Sequence, residues 1–224
     1  MLLIGPFQMS RLFLALLLMP FLPVDAAAQH RGINFDLLAA ARNGSAADVR
    51  ALLDQGASPN SRNRLGDTPL NIAARSGNLS MARLLLERGA NVNLQNLARV
   101  SPLMSAAFNG HAGVVRMLMA SNADPALADR TQKTAMVYAA GNGHTECVRA
   151  LLDAGADVDA RYSNELTALM WASAYGHVAT VRFLLERGAD ATLRDNRGKT
   201  AMMLATEEDR PLVVAALRKS GVSR

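Results

Sequence analysis

Residues with reactive side chains are few in this chain. Cys147 is its only thiol. A nucleophilic thiol needs a base within reach, and His144, three residues earlier, would face it on a helix. His111, His144 and His177 recur at an interval of 33 residues, a row that invites a metal-site reading. Ligands of one zinc ion must each approach it to about 2.1 Å, whereas packed helices lie about 8–10 Å apart, so successive histidines of such a row do not converge on one ion. The row reads instead as a structural position whose rings bond neighbouring backbone. Cys147 reads as a packed core residue, because free cysteine is among the most buried residue types. No catalytic residue, cofactor or metal is expected, and a thiol-based redox sensor or enzyme using Cys147 is the rival reading.

A second chemistry is electrostatic. Arg50, Arg83, Arg116, Arg149 and Arg182 keep the same 33-residue interval, and such a stripe suits an anionic polymer or lipid headgroups. Asp54, Glu87, Asp153 and Glu186 follow four of these arginines by four residues. That spacing pairs charges on one helix face, so a mostly self-neutralised outer row is expected. The net charge of +5 rests on 24 basic residues, of which 21 are Arg, against 19 acidic ones. This excess permits an acidic partner, and nucleic acid is not the expected one. An envelope scaffold that binds anionic surfaces through the arginine row is a further alternative.

The third chemistry is recognition by aromatic rings. Only 4% of the 224 residues are aromatic. Three of the six Phe fall in the first 28 residues, leaving Phe35, Phe108, Tyr138, Tyr162, Trp171, Tyr175 and Phe183. Tyr138 and Trp171 share one column of the 33-residue period, Phe108 shares another with Arg75, and Tyr175 a third with Asn109 and Asn142.

The elements that position these residues follow from the repeat itself. Gly44, Gly77, Gly110, Gly143 and Gly176 are evenly spaced, as are Thr68, Ser101, Thr134, Thr167 and Thr200. Each Thr or Ser precedes an Ala-rich apolar run and can cap a helix, with Pro69 and Pro102 at the first helical position. Each glycine of the first set can close that short helix in a left-handed conformation. A second helix follows, and about ten residues rich in Asn, Asp, Arg and Gly form an extended turn before the next unit. Half of the residues are hydrophobic, so disorder is excluded, and one cysteine cannot build a disulfide scaffold.

The sequences Thr68-Pro-Leu-Asn-Ile-Ala-Ala74, Asn142-Gly-His144 and Val148-Arg-Ala-Leu-Leu-Asp-Ala-Gly-Ala-Asp157 resemble the ankyrin repeat. The resemblance implies an all-α ankyrin-repeat solenoid of about six helix-turn-helix repeats joined by extended hairpin-like turns, near 34–63, 64–96, 97–129, 130–162, 163–195 and 196–224. It departs from the family in two ways. The histidine after Thr-Pro-Leu is replaced by Asn71, Met104, Val137, Met170 and Met203, which implies a more apolar inner row. The turn-tip glycine persists at Gly66 and Gly198 but becomes Arg99, Gln132 and Glu165, implying either a different turn or strained residues.

In this family the first helices line a concave groove bordered by the turn tips. The resemblance thus implies a non-enzymatic module that binds another protein, possible roles being adaptor or immunity protein. The expected contacts are Arg75, Phe108, Asn109, Tyr138, Asn142, Trp171 and Tyr175 in the groove, with Arg99, Arg130, Arg161 and Tyr162 at the tips. The competing reading is that the rings merely pack between inner helices.

Residues 1–28 read as a secretory signal peptide. Arg11 precedes an apolar run from Leu12 to Leu22, and Ala26-Ala27-Ala28 offers a small-residue cut that leaves Gln29 as the first mature residue. The run is too short, and too interrupted by Pro20 and Pro23, for a stable membrane span. A short segment at 29–33 then precedes the repeats. The expected protein is periplasmic or secreted, bacterial and monomeric.

Overall fold

The computed structural model describes the backbone of residues 24–221 and the side chains of residues 32–221. Twelve α-helices alternate between two rows among the described residues. The inner row is α1 (Val24–Asn43), α3 (Pro69–Ser76), α5 (Pro102–Phe108), α7 (Ala135–Gly141), α9 (Ala168–Ala174) and α11 (Ala201–Glu207). The outer row is α2 (Ala46–Asp54), α4 (Leu79–Glu87), α6 (Ala112–Ala120), α8 (Thr145–Asp153), α10 (Val178–Glu186) and α12 (Pro211–Lys219). Each helix packs on its partner in the pair and on the same-row helices of adjacent pairs. No strand occurs among the described residues, and none of their helices is long and apolar enough to cross a membrane.

The inner helices start where the capping column places them. The side chains of Thr68, Ser101, Thr134, Thr167 and Thr200 each accept a hydrogen bond from the backbone N–H three residues on. That bond satisfies one of the donors a helix start leaves unpaired. Asn71 returns a bond to the Thr68 N–H, closing a capping box, and its amide also donates to Val100 O in the next unit.

Leu37, Leu70, Leu103, Met136, Leu169 and Met202 form one buried inner column, and Leu85, Leu118, Leu151, Leu184 and Leu217 an outer one. Burying each such leucine stabilises the fold by about 1.5–3 kcal/mol. Ala73, Ala106, Ala139, Ala172 and Ala205 are also fully buried, and their small side chains let inner helices approach closely. In the column after Thr-Pro-Leu, Met104, Val137 and Met170 are buried as an apolar row requires, while Met203 in the last unit is 39% exposed.

The turns are organised by an Asn or Asp at their start. Oδ1 of Asn63, Asn96, Asp129 and Asp195 each accepts from two backbone N–H groups, two and four residues on. Arg99 and Gln132 then occupy the left-handed region at φ 61°, so these tips keep the glycine turn and carry its strain. The turn after α8 differs. Tyr162 stands where the other four turns have Asn or Asp and cannot supply that acceptor. The chain instead makes a 3-10 turn at Ser163–Glu165, with Asn164 and Glu165 both left-handed. Both outcomes allowed by the sequence therefore occur.

Residues 1–23 of the signal segment lie outside the described residues, and the expected cut after Ala28 falls within α1.

Candidate functional site

Helices α5, α7 and α9 bring four of the expected aromatic residues into one strip. The edge of Phe108 meets Tyr138 at 5.4 Å between centroids with planes 83° apart. Trp171 stacks on Tyr175 at 5.9 Å and 8°, and Tyr175 stacks in turn on His177 at 6.5 Å. Between the two pairs lies Lys133, on the turn leading into α7. Its Nζ sits 5.8 Å from the Tyr138 centroid and 5.6 Å from that of Trp171, close enough for attraction to both rings. Phe108 and Tyr175 are 51% and 53% exposed, whereas Tyr138 and Trp171 are half-buried. The packing reading thus accounts for the inner two rings and leaves the outer two open.

Tyr138 is fixed from the turn. Its hydroxyl donates to Asp129 Oδ2. Burial, then the hydrogen bond to Asp129 and that carboxylate's charge, push the phenol up to about 12. Burial acts to raise Asp129 as well, but hydrogen bonds from Tyr138, from the backbone of Lys133 and from Thr131 outweigh it and hold the carboxyl below its ordinary range. A turn-to-helix contact from a different turn position is made in the second unit by Asp67, which accepts from Arg75 at 3.0 Å and from Asn96 at 2.8 Å. Arg75 is therefore engaged, one unit away from the aromatic strip.

The other expected contacts are dispersed around it. Asn109 caps α5 by donating to Ser105 O, and Asn142 donates to Phe108 O, so both amides serve the backbone. Arg99 and Arg130 are exposed and make no ion pair among the described residues. Arg161 pairs with Glu165 at 2.6 Å and donates to Arg194 O. Tyr162 is half-buried, and burial pushes its phenol up to about 12.

Lys133 is the residue that sequence reasoning missed. It is one of only three lysines in a chain whose basic residues are otherwise Arg, which is the one signal that could have drawn attention to it. Two clefts were also not foreseen. One, of about 240 Å³, lies between α9 and α11 and is lined by Met170, Trp171, Tyr175, Leu204 and Arg210. The other, of about 750 Å³, lies at the first unit and is lined by Phe35, Leu38, Arg42, Arg62, Arg64 and Leu65.

The outer arginine row departs from expectation. None of the four i,i+4 pairs forms. Arg149 bonds Glu146 instead, while Asp54 is taken by Arg88 at 2.6 Å and Asp153 by Arg187 at 2.8 Å, each across to the next unit. Arg88 and Arg187 sit at the C-caps of α4 and α10, level with the preceding unit's last helical turn. Arg149 instead lies 4.2 Å from the Phe183 ring centroid. Arg50, Arg83, Arg116 and Arg182 make no ion pair among the described residues.

Cys147 is packed in the core and the histidines bond neighbouring backbone. Cys147 is fully buried, and burial pushes its thiol up to about 11, away from the nucleophilic thiolate. The His144 ring is turned to the preceding unit, where its Nε2 bonds Phe108 O at 2.9 Å. His111 bonds Arg75 O and His177 bonds Gly141 O in the same way. No cluster of three or more metal-ligating side chains occurs among the described residues.

Models of the ankyrin repeat match residues 26–96 and 89–162 as three-copy blocks and residues 151–205 as a many-copy block. The chain belongs to the ankyrin-repeat family. Among solved structures, this ankyrin-repeat protein is similar to the ankyrin repeat protein EF0377, at 30% identity and a TM-score of 0.73, over 82% of this chain and 96% of that one. No curated protein matches its sequence. Ankyrin repeats are protein–protein interaction modules and typically non-enzymatic scaffolds, so protein partners are implied for this ankyrin-repeat chain as well.

Proposed function

We propose that this protein is an exported bacterial binding module that holds a partner protein against the strip running from Phe108 through Tyr138, Lys133 and Trp171 to Tyr175. The observation that carries this reading is the continuity of the strip. Two exposed rings are held at fixed spacing by two half-buried ones, a rigid surface that loses little freedom on binding. Aromatic side chains of this kind dominate interface hot spots. Asn109 and Asn142 flank the strip, and Arg99, Arg130, Arg161 and Tyr162 on the turns, with Arg75 one unit away, would supply its polar surroundings. The partner is bound by a monomer in the periplasm or outside the cell, after cleavage at Ala28, in the manner of an adaptor or a neutralising protein.

The test uses Phe108→Ala/Tyr175→Ala. These side chains are exposed, so the variant keeps the fold, whereas Tyr138→Ala would also strip the buried Asp129 Oδ2 of its partner. Periplasmic partners crosslinked to the wild type are expected to be lost from the variant, with its circular dichroism unchanged. Retention of every partner by the folded variant would reject the surface. Export is checked in the same preparation by N-terminal sequencing, which should begin at Gln29.

The four unpaired outer arginines favour a second reading, an envelope scaffold on anionic headgroups. It predicts salt-sensitive binding of the mature chain to phosphatidylglycerol vesicles.

A further inference from the structure

The turn-tip edge beside the aromatic strip is rich in arginine. Every turn presents arginine: Arg62 and Arg64 on the first, Arg99 on the second, Arg130 on the third, Arg161 on the fourth, Arg194 and Arg197 on the fifth. Arg62, Arg64, Arg99, Arg130 and Lys133 form no ion pair among the described residues. The carboxylates of the same edge are committed. Asp67, Asp129 and Asp195 are buried at 1%, 4% and 5% exposure beneath their own turns, Glu165 is held by Arg161 and Glu207 by Lys199. The tips of the first three turns therefore offer cations whose neighbouring carboxylates, Asp67 and Asp129, are buried in their own hydrogen bonds, while the exposed Asp124 stands at the start of the third turn, away from its tip.

Resting on the binding surface proposed above, we infer that the partner presents an extended acidic segment, with a carboxylate about every third residue and apolar side chains between. Spacing supports the period. Backbone bonds from Leu97 N to Leu65 O and from Arg130 N to Ala98 O join successive turns in a regular stack, and the helices of adjacent units lie about 8–10 Å apart. An extended chain rises about 3.3 Å per residue, so every third residue meets a new turn. The strip supports the apolar part. A side chain seated against the strip leaves its neighbour's carboxylate near Lys133, which lies between Tyr138 and Trp171. Protein suits this surface better than single-stranded nucleic acid, because Trp171 and Tyr175 are already stacked on each other and Phe108 meets Tyr138 edge-on, so the strip does not present a series of parallel open faces for successive bases.

The test uses the full mature chain and fluorescein-labelled 15-residue peptides in anisotropy titrations. The first peptide has Glu at every third position with Leu and Ser between. The second has the same composition with its Glu residues in one block, and the third has Gln for Glu. The spaced peptide is expected to bind at least tenfold more tightly than either control, and Arg99→Glu/Arg130→Glu is expected to weaken it at least tenfold. Equal binding of the three peptides, no binding of the spaced one at about 1 mM, or no effect of charge reversal would overturn the inference. So would an oligothymidine or a phosphatidylglycerol vesicle that binds more tightly than the spaced peptide and is lost on the same charge reversal. Crosslinked partners separate the two proposals. If they survive charge reversal and are lost in Phe108→Ala/Tyr175→Ala, the acidic segment is wrong and the aromatic surface stands. If they survive both, the surface itself is wrong.

Discussion

His111, His144 and His177 lie over the glycine that closes the inner helix one unit earlier. A Cβ at Gly77, Gly110 or Gly143 would fall 2.5, 2.7 or 2.5 Å from Nδ1 of the following unit's histidine. Glycine is required there both for this approach and for its left-handed backbone. Gly143→Ala should therefore cost about 3 kcal/mol, combining backbone strain with a clash against His177. Gly188→Ala is the control, since Gly188 is also left-handed at φ +86° but has nothing within 4 Å of its Cβ position. It should cost about 1 kcal/mol. Urea denaturation measures both, and equal losses would show that the histidine contact does not matter. The 33-residue interval is enough to read this histidine row as structural, but not to find its glycine socket. Nor does it reveal Lys133, because its column repeats as lysine only at Lys199, and its rings come from positions 5 and 38 residues away.

At the scale of single elements, the turns show where local rules suffice. Helix starts are legible because Thr, Ser and Pro act within three residues of themselves. Tips are less so, because left-handed backbone at Arg99 and Gln132 is imposed by the surrounding turn, not by the residue. Gln132→Gly should stabilise the protein by up to about 1 kcal/mol, the relief of strain being partly offset by the greater freedom of glycine when unfolded. A shift of the urea midpoint to lower concentration would count against that account. Tyr162 changes its turn because the Asn or Asp acceptor at the start of the turn is lost there, a departure visible in the sequence once the role of Asn63, Asn96, Asp129 and Asp195 is known. The outer arginine row misleads for the opposite reason. The i,i+4 rule describes one helix alone, whereas here the acid at a helix end is met by an arginine of the next unit.

Across the whole molecule, the ionisable groups define a window of stability. The carboxyls of Asp67, Asp129 and Asp195 are all held below their ordinary range, with hydrogen bonds outweighing the opposing effect of burial. Their contribution is present above the unfolded carboxylate pKa near ~3.9 and lost as pH falls through the lower folded values. Cys147 is raised to about 11 and Tyr138 and Tyr162 to about 12. Their contribution is present below the unfolded pKa values and lost as pH rises through the folded ones, from about pH 8.5 for the thiol upward. The melting temperature should be nearly flat between about pH 5 and 8, falling on both sides. In Cys147→Ala the alkaline fall should begin nearer pH 10, where the tyrosines start to titrate.

The contact between units has a direction. Each unit lays its histidine on the glycine of the unit before it, while Asn78 and Arg210 take the histidine's place at the two ends of the array. A copy of residues 111–143 spliced in after Gly143 would find a socket behind it and offer one ahead. Lengthening by internal duplication is therefore written into the middle of this molecule and withheld from its ends, so a longer binding edge is reached by copying one unit and by no new invention at either terminus.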